Sequence, residues 1–415
     1  MTKTPDRKDL ERRGLLVVPG LVDLHAHLRE PGFEDSETIE AGARAALRGG
    51  FTTICAMPNT EPAIDSPGLV AELIAKSAAA GGARVLPIAC ITRGRRGTEL
   101  ADLVELARAG AVAFSDDGSP VSDGRLFRNA LEYARSADRV VIEHAQDMEL
   151  SGKGVMHEGT VSAALGLPGV PAAAEEIAVA RDLALARLTG ARLHLTHLST
   201  RGAVELVRQA KAGGLAVTAD VTPHHLAMTD EWVAGSRRFA WEDLERSDGT
   251  LENGARQGPA SPYDPNTKVN PPLRTRADVE ACWAGLRDGT IDAIATDHAP
   301  HSSIRKDVEY QEAAFGIAGL ETALPLLLAG VDAGLASLDV VLRALGDAPR
   351  RILGLAADDD WIAIDREAEW TVEASSLASK GKNTPLLGRR LRGRVVLAVI
   401  DGKVRFDAGQ VAQLA

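Results

Sequence analysis

Short runs rich in β-branched and other apolar residues alternate along this chain with segments in which apolar residues recur every three or four positions. The first pattern predicts strands and the second amphipathic helices. Strand-like runs fall at residues 16–27, 51–59, 84–91, 111–117, 139–144, 192–198, 216–225 and 292–301. Helical spacing occupies 38–48, 69–79, 100–108, 125–137, 173–188 and 201–212 between them. This alternation is the order of βα units around a parallel sheet, and eight such runs predict a (β/α)8 barrel of the TIM type. Beyond residue 355 the pattern changes: 361–373 alternates, and the runs 393–400 and 403–407 flank Asp401-Gly402, a pair suited to a two-residue hairpin turn. The expected division is a leading segment at 1–15, a barrel at 16–355 and a small, incomplete β appendage at 356–415, formed mainly from the C-terminal segment. The stretch 236–263 is polar and rich in Gly, Ser, Arg and Glu, which predicts a long mobile loop beside the barrel mouth.

Composition narrows the function more than the fold. With 45% apolar and 25% charged residues, the 415-residue chain is an ordinary compact protein. Its formal charge of -11, with Arg scattered among Asp and Glu, disfavours a nucleic-acid groove but leaves room for a local cationic pocket around a small anion. Cys55, Cys90 and Cys282 are odd in number and lack C-x-x-C spacing, so a disulfide framework is not expected and a reducing cytoplasm is. The start of the chain is charged, without the apolar run of a signal peptide or membrane anchor.

Ionisable residues fall where such a barrel assembles its chemistry. His25, His27, Asn59, Asp117, His144, His197 and Asp297 all stand at the C-terminal ends of predicted strands. His25 and His27, two apart on one strand, share a face from which both imidazoles can reach one ion. An isolated pair of this kind equally suits two histidines hydrogen-bonded in a core. Four imidazoles and two carboxylates converging on one barrel mouth are harder to explain that way. Zinc takes histidine nitrogen and aspartate oxygen and keeps a position for water in catalytic sites. Six such groups exceed one tetrahedral ion, whereas two ions sharing a carboxylate would use them all, with Asp117 as the natural bridge. Among the remaining histidines, His194 lies off the ligand face or in the layer beneath, and His224 and His225 are candidates to orient ligands. His157 reads as a surface loop residue, and His298 as a neighbour of Asp297 that could equally be packing.

Several stretches carry these residues in a specific setting: His25-Ala26-His27-Leu28-Arg29 within 19–32, Met57-Pro58-Asn59-Thr60, Phe114-Ser115-Asp116-Asp117-Gly118 and Thr196-His197-Leu198-Ser199. Further on stand Val221-Thr222-Pro223-His224-His225, Asn270 within 268–274, and Asp297-His298-Ala299-Pro300-His301. Together they resemble the class I dihydroorotases of the amidohydrolase superfamily, from about residue 16 to the C-terminus. The resemblance implies reversible conversion of N-carbamoyl-L-aspartate to L-dihydroorotate in pyrimidine biosynthesis, with one or two Zn2+ ions. It implies that His25, His27 and Asp297 hold the catalytic zinc, that Asp117 bridges, and that His144 and His197 hold a second ion where one is present. Asp297 would also carry the proton. Arg29, a bidentate cationic fork, would take the substrate carboxylate with Asn59 and His301. Asn270 would hydrogen-bond the pyrimidine ring, and Phe315 and Gly316 would offer backbone contacts. Asp117, where hydantoinases carry a carboxylated lysine, points away from that branch.

Some features depart from the family pattern. The short leading segment implies half a sandwich with an exposed strand edge, which invites association. A homodimer is expected, with an aspartate carbamoyltransferase as a further possible partner and with neither nucleic acid nor membrane. Ala314 stands where many relatives have proline. Two other readings remain open: a hydantoinase or allantoinase, and a non-catalytic scaffold for aspartate carbamoyltransferase, which six intact ligand-type residues argue against.

Overall fold

The computed structural model describes residues 4–242 and 261–409. The first strand-like run is in fact two strands, β1 (Leu16–Pro19) and β2 (Leu21–Ala26). They part at Gly20, where a Cβ would lie 2.2 Å from Thr52 Oγ1. Then follow β3 (Phe51–Ala56), β4 (Arg84–Ala89), β5 (Ala113–Phe114), β6 (Val140–Glu143), the short pair β7 (Met156–His157) and β8 (Gly169–Val170), β9 (Leu193–Leu195), β10 (Val217–Val221) and β11 (Ala293–Ile294). One eight-stranded sheet runs β2-β3-β4-β5-β6-β9-β10-β11, every pair parallel. A bridge between Ala26 and His298 brings its two ends together, with His27 N donating to His298 O at 2.7 Å. The result is the (β/α)8 barrel.

Alternation along the strands sorts side chains into two layers. Leu24, Cys55, Met57, Ile88, Ala113, Ile142 and Ala295 fill the barrel interior, closed by Ala348, Ile352 and Leu353 of the helix Asp347–Leu353. Ile54, Ala56, Phe114, Val141 and Leu195 pack with the helices. Helix Ile39–Gly49 is typical of that ring: Thr38 Oγ1 accepts from Ala41 N, Ile39, Ala43, Ala46 and Leu47 are buried, and Gly50 ends it at φ 91°. Each large apolar side chain buried in these layers contributes roughly 1.5–3 kcal/mol. Two filled layers therefore hold the strand ends, and whatever they carry, in fixed relation.

Beyond the barrel lie β12 (Trp361–Thr371), β13 (Arg390–Ile400) and β14 (Lys403–Asp407). They form an antiparallel sheet in the order β1-β12-β13-β14, so residues 16–19 belong with the C-terminal strands rather than the barrel wall. Asp401 and Gly402, at φ 51° and 70°, make the expected hairpin turn between β13 and β14. Between β12 and β13 the chain leaves this sheet and returns to the barrel mouth. Of the predicted loop at 236–263, residues 243–260 lie outside the described residues. Just before them, Phe239 and Ala240 are buried, with Phe239 stacked on Trp232 at 5.9 Å between ring centroids. Among the described residues no helix is long and apolar enough to cross a membrane.

Candidate active site

The two carboxylate oxygens of Asp117 face different pairs of histidines at the barrel mouth. Oδ2 lies 3.5 Å from Nε2 of His25 and 3.5 Å from Nε2 of His27. Oδ1 lies 3.3 Å from Nδ1 of His144 and 3.5 Å from Nε2 of His197. Asp297 closes on the first pair, its Oδ1 3.1 Å from His27 Nε2 and 3.5 Å from His25 Nε2. All six side chains are buried. The neighbouring Asp116 points elsewhere: its carboxylate accepts from the amides of Ile91 at 2.8 Å and Thr92 at 3.1 Å, and from the Thr92 hydroxyl.

Local backbone aims these groups. His25 and His27 share a face of β2, as their spacing predicts. His197 and Asp297 leave their strands at φ 43° and 46°, a left-handed turn that non-glycine residues seldom make. Such conformations persist where surrounding bonds hold them. His197 N donates to Asp220 Oδ1 at 2.7 Å, and Asp23 accepts from His25 N at 3.3 Å, Thr296 N at 2.8 Å and Thr296 Oγ1 at 2.5 Å.

Hydrogen bonds behind the cluster fix which imidazole nitrogens carry protons. His27 Nδ1 donates to Asn59 Oδ1 at 2.8 Å. The Thr196 hydroxyl gives its proton to Asp220 Oδ2 at 3.0 Å, so at 2.9 Å it accepts from His25 Nδ1. His144 Nε2 donates to Gln146 Oε1 at 2.6 Å. In each neutral ring the opposite nitrogen is a bare lone pair, and those lone pairs face the carboxylates. The Nε2 atoms of His25 and His27 stand only 3.2 Å apart. His197 Nε2 and Asp117 Oδ1 are buried with no hydrogen-bond partner among the described residues.

Lone pairs packed against lone pairs out of water require a cation between them. Although burial opposes it, Asp117 and Asp297 push His25 up to about 9, which expresses the same demand for positive charge. Burial also works against an ionised Asp117, yet the surrounding histidines hold it well below the usual carboxylate range. Ligand atoms around a tetrahedral ion at about 2.1 Å stand about 3.4 Å apart. The separations of 3.1 to 3.5 Å seen here match. Two triads satisfy the requirement, His25, His27 and Asp117, and Asp117, His144 and His197, so the residues present fit a metal centre with Asp117 shared.

Beside the cluster the Arg29 guanidinium is set against the His301 ring. His301 Nε2 is 2.8 Å from Phe315 O, which can only accept, so this nitrogen carries the proton. Arg29 Nη2 is a second donor 3.1 Å from the same nitrogen, while Arg29 Nε is held by Pro300 O at 3.1 Å. Burial and the Arg29 charge push His301 down to about 2, so its ring is neutral at ordinary pH. With the His301 proton spent on Phe315 O, Arg29 Nη2 faces a nitrogen that cannot accept, and an anion beside the guanidinium would relieve that contact.

The other predicted residues take definite places. Asn59 orients His27 through Oδ1. Asn270 Nδ2 donates to Gln146 Oε1 at 2.8 Å and lies 3.4 Å from His144 Nε2, which puts it at the rim of the cluster. Phe315 O is engaged by His301, and Gly316 N donates to Lys268 O at 2.8 Å. The Phe315 ring is 39% exposed and carries Lys268 Nζ 4.5 Å above it. His194 lies in the layer beneath, bonded to Asp220 Oδ2 at 2.7 Å. His225, on the helical turn Pro223–Ala227, donates to Pro271 O at 3.0 Å and so steadies the loop bearing Asn270. His298 Nδ1 accepts from Gly319 N at 3.1 Å. His157 is not a surface residue: it is buried on β7, 3.1 Å from Nη1 of the buried Arg274. A lone loop histidine gives no sequence signal of such a partner. Sequence pattern does not single out Thr196, Gln146, Asp23 or Asp220, the groups that orient the candidate ligands. A carboxylate inside an otherwise apolar strand is the available sign for the last two.

Known proteins agree with this architecture. The family described as "Dihydro-orotase-like" matches residues 14–203. A protein named dihydroorotase from Anaeromyxobacter dehalogenans (strain 2CP-C) is 48% identical over 98% of this chain and 89% of its own length. Another so named, from Geobacter sp. (strain M21), is 46% identical over 96% and 89% of the two chains. Among solved structures, the L-hydantoinase (dihydropyrimidinase) from Arthrobacter aurescens superposes with a TM-score of 0.78 at 24% identity, covering 96% of this chain and 86% of that one. At that identity the likeness speaks for the fold alone. Similarity near one half over almost the whole sequence says more: the chain belongs to the dihydroorotase family.

Proposed function

We propose that this chain is a dihydroorotase, a metal-dependent cyclic amidohydrolase that interconverts N-carbamoyl-L-aspartate and L-dihydroorotate. The observation that carries the reading is the pairing of two features: a cluster of lone pairs built for metal, and the Arg29 guanidinium set against His301 beside it. Dihydroorotate needs both, because it has an amide to be opened and a carboxylate to be held. His25, His27 and Asp297 would hold the catalytic ion, Asp117 would be shared, and His144 and His197 would complete a second position. We take the metal to be zinc, which suits an all-imidazole and carboxylate ligand set. When bound, such an ion supplies Lewis acidity that acidifies water and polarises a carbonyl.

The chain's own residues do the remaining work. Arg29 and His301 anchor the carboxylate and thereby set which ring carbonyl faces the cluster. Asn270, at the rim beside His144, hydrogen-bonds the ring. Asp297 accepts a proton from the attacking water as its oxygen bonds to the ring carbonyl carbon. When the carbon–nitrogen bond breaks, Asp297 delivers that proton to the departing ring nitrogen. Ring closure runs the same transfers backwards.

Two further points belong to this reading. β14 forms one edge of the small sheet, which supports pairing of two chains. Three buried free thiols suit a reducing cytoplasm. The test offers L-dihydroorotate and a hydantoin in parallel to the zinc-loaded protein. Ring opening of dihydroorotate alone is expected; opening of the hydantoin alone would overturn the assignment.

A further inference from the structure

The segment between β12 and β13 does more than link two strands of the small sheet. Glu321 accepts from the amides of Ala378 at 2.9 Å and Ser379 at 3.1 Å. Glu37 accepts from the Ser379 hydroxyl at 2.6 Å and the Lys380 amide at 3.1 Å. Pinned by these two carboxylates, the chain passes so close to the β11 loop that a Cβ on Gly381 would lie 2.6 Å from His301 N and 2.7 Å from Pro300 Cβ.

Asn383 follows, only 5% exposed. Its Oδ1 accepts from His301 N at 2.8 Å, and its Nδ2 donates to Ala299 O and Gly316 O, each at 3.0 Å. Its own carbonyl accepts from Ala318 N at 2.9 Å. An amide side chain has one oxygen and two N–H groups. Here all of them are spent on the two loops that carry His301 and Gly316.

Those loops are also tied to each other, since the His301 ring donates to Phe315 O. Asn383 thus closes a ring of contacts: Oδ1 fixes the backbone of His301, Phe315 O fixes its imidazole, and Nδ2 fixes the peptide that follows Gly316. Gly316 O takes a second donor from Lys306 Nζ at 3.1 Å. No other uncharged side chain of this length offers an acceptor and a donor to one loop and a second donor to the other.

We propose that Asn383, contributed by the C-terminal segment and not by the barrel, is a positioning residue for substrate binding. It sets the spacing between His301 and the Phe315–Gly316 backbone, and so the shape of the pocket for the substrate carboxylate. This inference rests on the reading of Arg29 and His301 as that pocket. A displacement of about 1 Å in a binding group can cost about a hundredfold in efficiency. The Asn383 side chain bonds no metal-ligand side chain and has no polar group left over for a substrate, so its loss acts on binding through His301.

The test compares zinc-loaded wild type with Asn383→Ala and the milder Asn383→Ser, after thermal melts identify the folded variants. The expected result is a rise in KM of about tenfold or more, kcat within about threefold, and unchanged zinc content. In a His301→Ala background the same substitution should add less than about threefold to KM, because the group it positions is gone. Spectra of the protein labelled with nitrogen-15 histidine should show the His301 ring signals displaced in the Asn383 variants. A folded variant with wild-type KM, an undiminished penalty in the His301→Ala background, or unmoved His301 signals would overturn the proposal. If wild type fails to open dihydroorotate, the functional reading falls, while the His301 signals still decide whether Asn383 positions that ring.

Discussion

Asn59 Oδ1 accepts the Nδ1 proton of His27 at 2.8 Å, and this contact decides which nitrogen of His27 faces Asp117 and Asp297. The family resemblance implies a substrate role for Asn59; the geometry adds a role in orienting a ligand. Groups that orient metal-binding histidines typically govern affinity by 10- to 100-fold. Asn59→Ala is therefore expected to weaken zinc binding by about that factor, measured by competition with a chelator. Unchanged zinc affinity with a raised KM would confine Asn59 to the substrate.

Asp117 and Asp116 are adjacent carboxylates with opposite assignments. Asp117→Asn should lower bound metal and reduce kcat by about a thousandfold or more, since the shared ligand is lost. Asp116→Asn should leave metal content intact but destabilise the fold by about 1–3 kcal/mol, because a buried acceptor of three donors is disturbed. Metal analysis beside chemical denaturation separates the two; a reversed pattern would move the bridge to Asp116.

Arg29 is half-buried, and desolvation pushes it down to about 10, so it stays charged at neutral pH. Arg29→Gln removes the charged donor for the carboxylate. KM for dihydroorotate should rise by about a hundredfold with a smaller effect on kcat. An unchanged KM would place the carboxylate elsewhere.

Metal binding should depend on pH with a definite sign. In the metal-free protein, burial opposes a charge on His25, but Asp117 and Asp297 raise it to about 9. A metal taking that place expels the proton, so affinity should climb as pH rises towards about 9 and level off above it. Calorimetry in buffers of different ionisation enthalpy reads the released proton directly. Zinc binding without proton release below that pH would refute the arrangement of lone pairs.

Lys306 gives a test of stability. Burial lowers its pKa from the ordinary 10.5 to about 7, while its Nζ donates to Ala314 O at 2.7 Å and Gly316 O at 3.1 Å. Its folded value lies below its unfolded one, so the unfolded chain binds more protons between about 7 and 10.5. This residue's contribution is therefore most favourable at the alkaline end of that window and is lost as pH falls through 7. Denaturant midpoints for wild type minus Lys306→Met should follow that slope; a pH-independent difference would contradict it.

Much of this was legible in the sequence, for reasons that differ by residue. Barrel strands announce themselves because both faces are buried, and six candidate ligands stand out because imidazoles and carboxylates at strand ends are chemically conspicuous. Gly20 was not read as a break, since only the approach of Thr52 across the sheet forbids a side chain there. The buried setting of His157 depends on Arg274, 117 positions away. Asn383 was equally silent, because an asparagine beyond the barrel gains meaning only when the chain folds back over His301. Contacts made across large sequence separations leave no local pattern.

The metal-free protein, titrated with zinc while opening of L-dihydroorotate is followed, puts the convergence of these side chains to the test. Turnover should be absent at the start, rise in proportion to zinc, and stop rising at no more than about two ions per chain; Asp117→Asn should not recover it. Turnover without metal, or a folded wild-type protein that stays inactive when saturated with zinc, would contradict a metal centre built from His25, His27, Asp117, His144, His197 and Asp297.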